Sequence, residues 1–127
     1  MNRGCITVSY GVALRKVLAE ARFVGSELLV VVNNDNAHIG AVALAEYDDQ
    51  TGRASTSVLT RVSHKDDVVA VSAAYHLAKA MRRSVCVVAG IHIDNACAED
   101  IEVTQQNAET AVKMLVERVS WARDERR

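Results

Sequence analysis

The sequence predicts an α+β domain: a single mixed, mostly antiparallel β-sheet of about five or six strands with two helices packed on one face. Three observations predict it. The first half of the chain is built of short β-branched or alternating runs separated by turn residues, the pattern of successive strands. After about residue 62 the pattern changes to helix, strand, helix. Several strand runs are apolar at consecutive positions rather than alternate ones, as central strands covered on both faces are. The 127 residues, half of them apolar, suit one domain, with a core over about 5–122 and a charged tail at 123–127.

Ile6 to Tyr10 alternates and is interrupted at Gly11. The next stretch is ambiguous, because "ALRKVLAEA" contains good helix formers. Strand is the favoured reading for Val17 to Val24, since Gly25-Ser26 then forms a tight turn into Leu28-Leu29-Val30-Val31-Val32. Asn33 to Asn36 reads as a turn by composition. His38 to Ala45 is the next strand, and its small residues predict close packing of something above it. Asp48 to Gly52 is a turn, and Ala54 to Val62 a further strand.

Ser63-His64-Lys65-Asp66 has the spacing of a capping box. Val69, Ala73, Leu77 and Ala80 then recur at helical spacing to about Met81, with Arg82 and Arg83 in the last turn. Val85 to Ile93 is another strand. The last helix is expected from about Asn95, with Ile101, Ala108, Val112, Leu115 and Val119 on its buried stripe. The chain has little left to cover the second face of such a sheet. Self-association through that face, as a homodimer, is therefore expected.

Composition narrows the function classes. With 15 basic and 16 acidic residues, the chain lacks the basic excess of a general nucleic-acid binder. It has no apolar run of membrane-spanning length and no signal-peptide core. Cys5, Cys86 and Cys97 are odd in number and widely spaced, which fits a reducing cytoplasm rather than a disulfide framework. Aromatic side chains are scarce, at 4%, so a flat ring system would find few stacking partners.

Polar groups collect at three element ends. Asn36-Ala37-His38-Ile39-Gly40 opens a strand, Ser63 to Asp66 opens a helix, and His92, Asp94 and Asn95 stand where a strand meets the last helix. Cations such as His64 and Lys65 in a first turn disfavour the helix alone, and a bound anion would reverse that. The competing reading is a solvated first turn capped by Ser63 and Asp66. For the third cluster it is a satisfied core histidine with Asp94 or Asn95 as helix cap. His38, His64, His92 and Asp94 would suit a catalytic zinc site if they converged, but none has the spacing that would show it. No nucleophile elbow, P-loop or dinucleotide-binding glycine motif is present, and no catalytic residue is assigned.

The segments "HIGAVALA" (38–45), "STSVLTRVSHKDDVVA" (55–70) and "VCVVAGIHIDNACAEDIE" (85–102) resemble the prenylated flavin chaperone family, the small third component of non-oxidative hydroxyarylic acid decarboxylase systems. The resemblance covers about residues 17–118. It implies a fold like that of proteasome assembly chaperones, paired with a second copy. It implies a non-catalytic accessory protein that binds prenylated FMN, or its reduced form, or FMN, and helps load a large decarboxylase subunit. It implies cofactor-binding roles for His38, Gly40, His64, Lys65, Asp66, His92, Asp94 and Asn95. One departure is Ala96-Cys97, where the family pattern has a Thr or Ser cap, so the cap is expected to move to Asp94 or Asn95. Two other readings stay open on the residues alone: an assembly chaperone or adaptor without a small-molecule ligand, and a small His-dependent metalloenzyme.

Overall fold

The computed structural model describes residues 4–35, 38–61 and 66–125. Six strands form one sheet: β1 (Ile6–Tyr10), β2 (Val17–Val24), β3 (Glu27–Asn33), β4 (Ala41–Asp48), β5 (Arg53–Thr60) and β6 (Val85–Gly90). Helix α1 is Asp67–Met81 and helix α2 is Ala98–Glu125. The order across the sheet is β1-β2-β3-β6-β4-β5. Among the described residues only the β3–β6 pair is parallel; the other four pairings are antiparallel. The α+β class, the mixed sheet and the two helices are as the sequence predicts.

Alternation explains the layers. Val8, Ala19, Val32, Ala89 and Ala41 lie side by side across five strands, and all are buried. The next such row is Ala21, Val30, Val87 and Ala43, again fully buried. This is the helix-covered face. Helix α1 lies over β4, β5 and β6, while α2 lies over β1 and β2 and packs on α1. The close packing expected over the alanine-rich strand is α1. Ala41, Ala43 and Ala45 of β4 are buried on this face, and α1 buries Ala70, Ala73, Ala74 and Ala78. Methyl-sized side chains on both sides let helix and sheet approach closely, and Leu77 and Met81 fill the remaining space.

The ambiguous stretch after Gly11 is a short 3-10 turn at Ala13–Arg15 followed by strand β2. Gly25-Ser26 is a two-residue hairpin loop, since Val24 pairs with Glu27. Gly25 has φ 62°, a value that suits glycine. At the next hairpin Asp48 accepts bonds from the Gln50 N–H and the Thr51 hydroxyl, so this turn is built by its side chains.

Several boundaries differ from expectation. The strand expected from His38 begins at Ala41, and the strand expected to reach Ile93 ends at Gly90. Beyond Gly90 side chains take over the ladder: Asp66 accepts the Ile91 N–H at 3.0 Å and Asn34 accepts the His92 N–H at 3.1 Å. The strand expected at Ala54 to Val62 is Arg53–Thr60; Val62 lies outside the described residues. Helix α1 ends at Met81, and Arg82 stands beyond its last turn at φ 53°, its N–H donating to the Ala78 carbonyl. Helix α2 starts at Ala98 rather than Asn95, which sits in a turn at φ 54°. Ile101 is 53% exposed and leaves the buried stripe. That stripe carries Thr104, Asn107, Ala108, Ala111, Val112, Leu115 and Val119. The same helix continues to Glu125, into the segment that composition marks as a charged tail.

Candidate functional site

The parallel pair β3–β6 creates the site. Both strands end at one sheet border, where Asn33 pairs with Gly90. The antiparallel β4 begins at that same border, with Ala41 opposite Ala89. Helix α1 also starts there, because Asp66 reaches across to the chain leaving β6. Carboxyl ends of parallel strands beside helix starts are where ligands gather in open sheets.

Two buried polar side chains shape this border. Asn34, 6% exposed, forms a pair of bonds with the His92 backbone: Nδ2 donates to the carbonyl at 2.8 Å, and Oδ1 accepts the N–H at 3.1 Å. The amide thus replaces one rung of a β-ladder. Asp66, 7% exposed, directs Oδ1 to the Ile91 N–H. Its other oxygen lies 3.8 Å from His38 Nε2. The Asp66 carboxylate rests on Gly40, where an added Cβ would overlap Oδ2. Gly40 is therefore a close-approach position.

Above this buried bracket stand two imidazoles. The rings of His38 and His92 meet edge to face with centroids 5.8 Å apart. His92 Nε2 and Asp94 Oδ1 are 2.8 Å apart, both side chains being exposed. Ile39, 54% exposed, and the half-buried Ile91 flank them with apolar surface.

The structure thus brings together His38, Gly40, Asp66, His92 and Asp94 from three separate segments. The stretch "AGIHIDN" converges on the start of α1 through Asp66. Ser63, His64 and Lys65 lie outside the described residues, so the phosphate-binding turn expected there is represented only by Asp66. Asn95 makes the turn before α2. By composition Asn34 reads as a turn residue, yet it supports the whole border. The available signal is a polar pair directly after a central apolar strand.

A correction concerns the cap of α2. Neither Asp94 nor Asn95 caps it. Cys97 is the N-cap, its carbonyl accepting the Ile101 N–H. Its own N–H donates to Asp100 Oδ2 at 3.0 Å, which is the acid half of a capping box. Asp100 also accepts two bonds from the Arg15 guanidinium, at 2.9 and 2.8 Å. The Cys97 N–H first and Arg15 second hold the Asp100 carboxyl below its ordinary value of 3.8. A depressed folded-state value stabilises the fold above the ordinary one. That stabilisation is lost as pH falls below about 3.8 toward the folded value. The stability profile of Asp100→Asn in urea is therefore expected to lie below the native one at neutral pH and to approach it below that pH. A constant offset at all pH values would refute the assignment.

Elsewhere, a groove of about 640 Å³ runs between the helices, floored by Val69, Ala73, Ala108 and Val112 with His76 on its rim. Among the described residues no group of three or more His, Cys, Asp or Glu side chains could hold a metal ion. No described helix is long and apolar enough to cross a membrane.

A family model described as the prenylated flavin chaperone LpdD-like domain matches residues 12–120. Among solved structures, the chain is similar to one in the crystal structure of a chaperone complex for yeast 20S proteasome assembly. The TM-score is 0.58 at 12% identity, covering 91% of this chain and 95% of that one. At that identity the likeness shows the fold alone. No curated protein sequence matches the chain.

Proposed function

The chain belongs to the prenylated flavin chaperone LpdD-like family, and from that premise we propose that it binds prenylated FMN, in its oxidised or reduced form, at the β3–β6 border. It acts there as a non-catalytic accessory in the cytoplasm, holding the cofactor for a large decarboxylase subunit and pairing with a second copy of itself through the open face of the sheet. The observation that carries the reading is the His38–His92 pair. Two imidazoles from different segments stand 5.8 Å apart over a buried carboxylate, beside the start of a helix.

The chemistry of the border fits such a ligand. Imidazole N–H groups and free backbone N–H groups at a helix start can both donate to a phosphate. The flavin ring would lie on aliphatic surface, which Ile39 and Ile91 supply beside the histidines. His64 and Lys65 enter from the family resemblance as further phosphate contacts. The bracket of Asn34 and Asp66 fixes the border before a ligand arrives, which lowers the ordering cost of binding.

Anaerobic titration with FMN and with reduced prenylated FMN, followed by absorbance, tests this. The native chain is expected to bind the prenylated form more tightly. His38→Ala and His92→Ala are each expected to weaken it about tenfold, roughly 1.4 kcal/mol. Unchanged affinity in both variants would remove the site. Absence of binding by the native chain, with retained binding to the decarboxylase, would favour an adaptor without ligand.

A further inference from the structure

The second face of the sheet carries no helix. The rows on it follow from the strand registers. One row is Thr7, Glu20, Val31, Val88, Val42 and Leu59. The adjacent row is Arg22, Leu29, Cys86, Leu44 and Ser57. Leu44 is 50% exposed and Leu59 73% exposed, and Leu29, Val31, Val42, Cys86 and Val88 are only partly buried. Burial raises the Cys86 thiol above its ordinary value even without anything on this face. Monomeric proteins rarely leave an apolar surface of this kind in water.

These two rows contain one acid and one base, Glu20 and Arg22, both on β2 and both exposed. Neither has an ion-pair partner among the described residues. We propose that a second copy covers this face about a two-fold axis that runs across the strands between the two rows, so that Glu20 of each copy meets Arg22 of the other. The proposal rests on reading the chain as pairing with itself and adds how the pair is registered.

The charges select this axis. Rotation about a line across the strands exchanges the two rows within each strand. Glu20 then faces the partner's Arg22, Val31 faces the partner's Leu29, and Val42 faces the partner's Leu44. Every apolar position meets an apolar one along the three central strands, and the two charges meet their opposites twice. An axis along the strands would instead set β2 over β4, pressing Glu20 and Arg22 onto Val42 and Leu44 and leaving both charges unpaired in a desolvated contact. Aligned packing of two such sheets sets them about 10 Å apart with interlocking side chains. The helices, and the histidine border at the edge of the sheet, remain accessible in this arrangement.

The test is the molar mass in solution by sedimentation equilibrium of the full chain, with far-UV circular dichroism as the check of folding. The native chain is expected to be a dimer at micromolar concentration. Glu20→Arg and Arg22→Glu are each expected to raise the dissociation constant at least tenfold, because each sets like charges opposite each other twice. The double variant Glu20→Arg with Arg22→Glu is expected to restore dimerisation. Single variants that dimerise normally, or a double variant that stays monomeric, would overturn this register while leaving self-association intact. A monomeric native chain would overturn self-association itself, and neither result bears on whether flavin binds.

Discussion

Gly90→Ala is expected to lower stability in urea unfolding by about 3 kcal/mol. A Cβ at this position would overlap the His38 carbonyl oxygen and lie 2.6 Å from its carbon. Those are backbone atoms, so no rotamer change can relieve the overlap. The segment of residues 38–40 would have to lift from the sheet. Two bonds oppose that: the Gly40 N–H donates to the Ala89 carbonyl at 2.9 Å, and Arg61 Nη1 donates to the Ile39 carbonyl at 2.8 Å. The effect is one of space, since Gly90 is not among the positive-φ residues. Gly25→Ala provides the contrast. It meets nothing within 4 Å, and only its positive φ opposes it, at about 1 kcal/mol. Because the displaced segment carries His38, Gly90→Ala is also expected to weaken the proposed flavin binding at least as much as His38→Ala does, by about tenfold or more. A loss below about 1 kcal/mol would show that residues 38–40 move freely and are not held as described.

That contact also marks what sequence reasoning can and cannot reach. The strands are legible where one face is buried, because alternation is a local property. Val17–Val24 is separable from a helix by its register with Gly25-Ser26. The alanines of β4 foretell close packing of another element over that strand. The place of β6 between β3 and β4 is not legible, since consecutive apolar residues indicate a central strand without saying which neighbours flank it. Strand ends fail for a related reason. The strand stops at Gly90 because Asp66 and Asn34, 25 and 58 residues away in sequence, take the next two N–H groups. No local pattern encodes that. The same distance effect hides Arg15, whose partner Asp100 lies 85 residues on. For the site, the polar clusters at three element ends are legible as clusters, and the resemblance chooses the residues. Their division of labour is not legible. Asp66 reads as a ligand contact or a cap and is a buried bracket, while Asn34 reads as a turn residue and holds His92 in place.

Asp66→Ala is expected to lower stability by about 2–4 kcal/mol, from the lost bond to the Ile91 N–H and the space opened against Gly40. The carboxylate is buried, so the abandoned N–H lies at a partly buried position where water replaces its partner poorly. The Asn variant separates this structural role from a role of charge. Asp66→Asn keeps the shape and one oxygen that can accept the same N–H, and it is expected to recover most of the lost stability. It also removes a negative charge from beside the proposed phosphate position. Were Asp66 a ligand contact, Asp66→Asn would weaken flavin binding while remaining well folded. As a bracket, its replacement by Asn leaves affinity unchanged or raises it, because one repulsion with the phosphate is gone. Urea unfolding and the anaerobic titration on the same two variants decide between these. Equal destabilisation by Ala and Asn would instead place the effect in the charge of Asp66 and its approach to His38 at 3.8 Å, and would transfer the bracket's work to that pair.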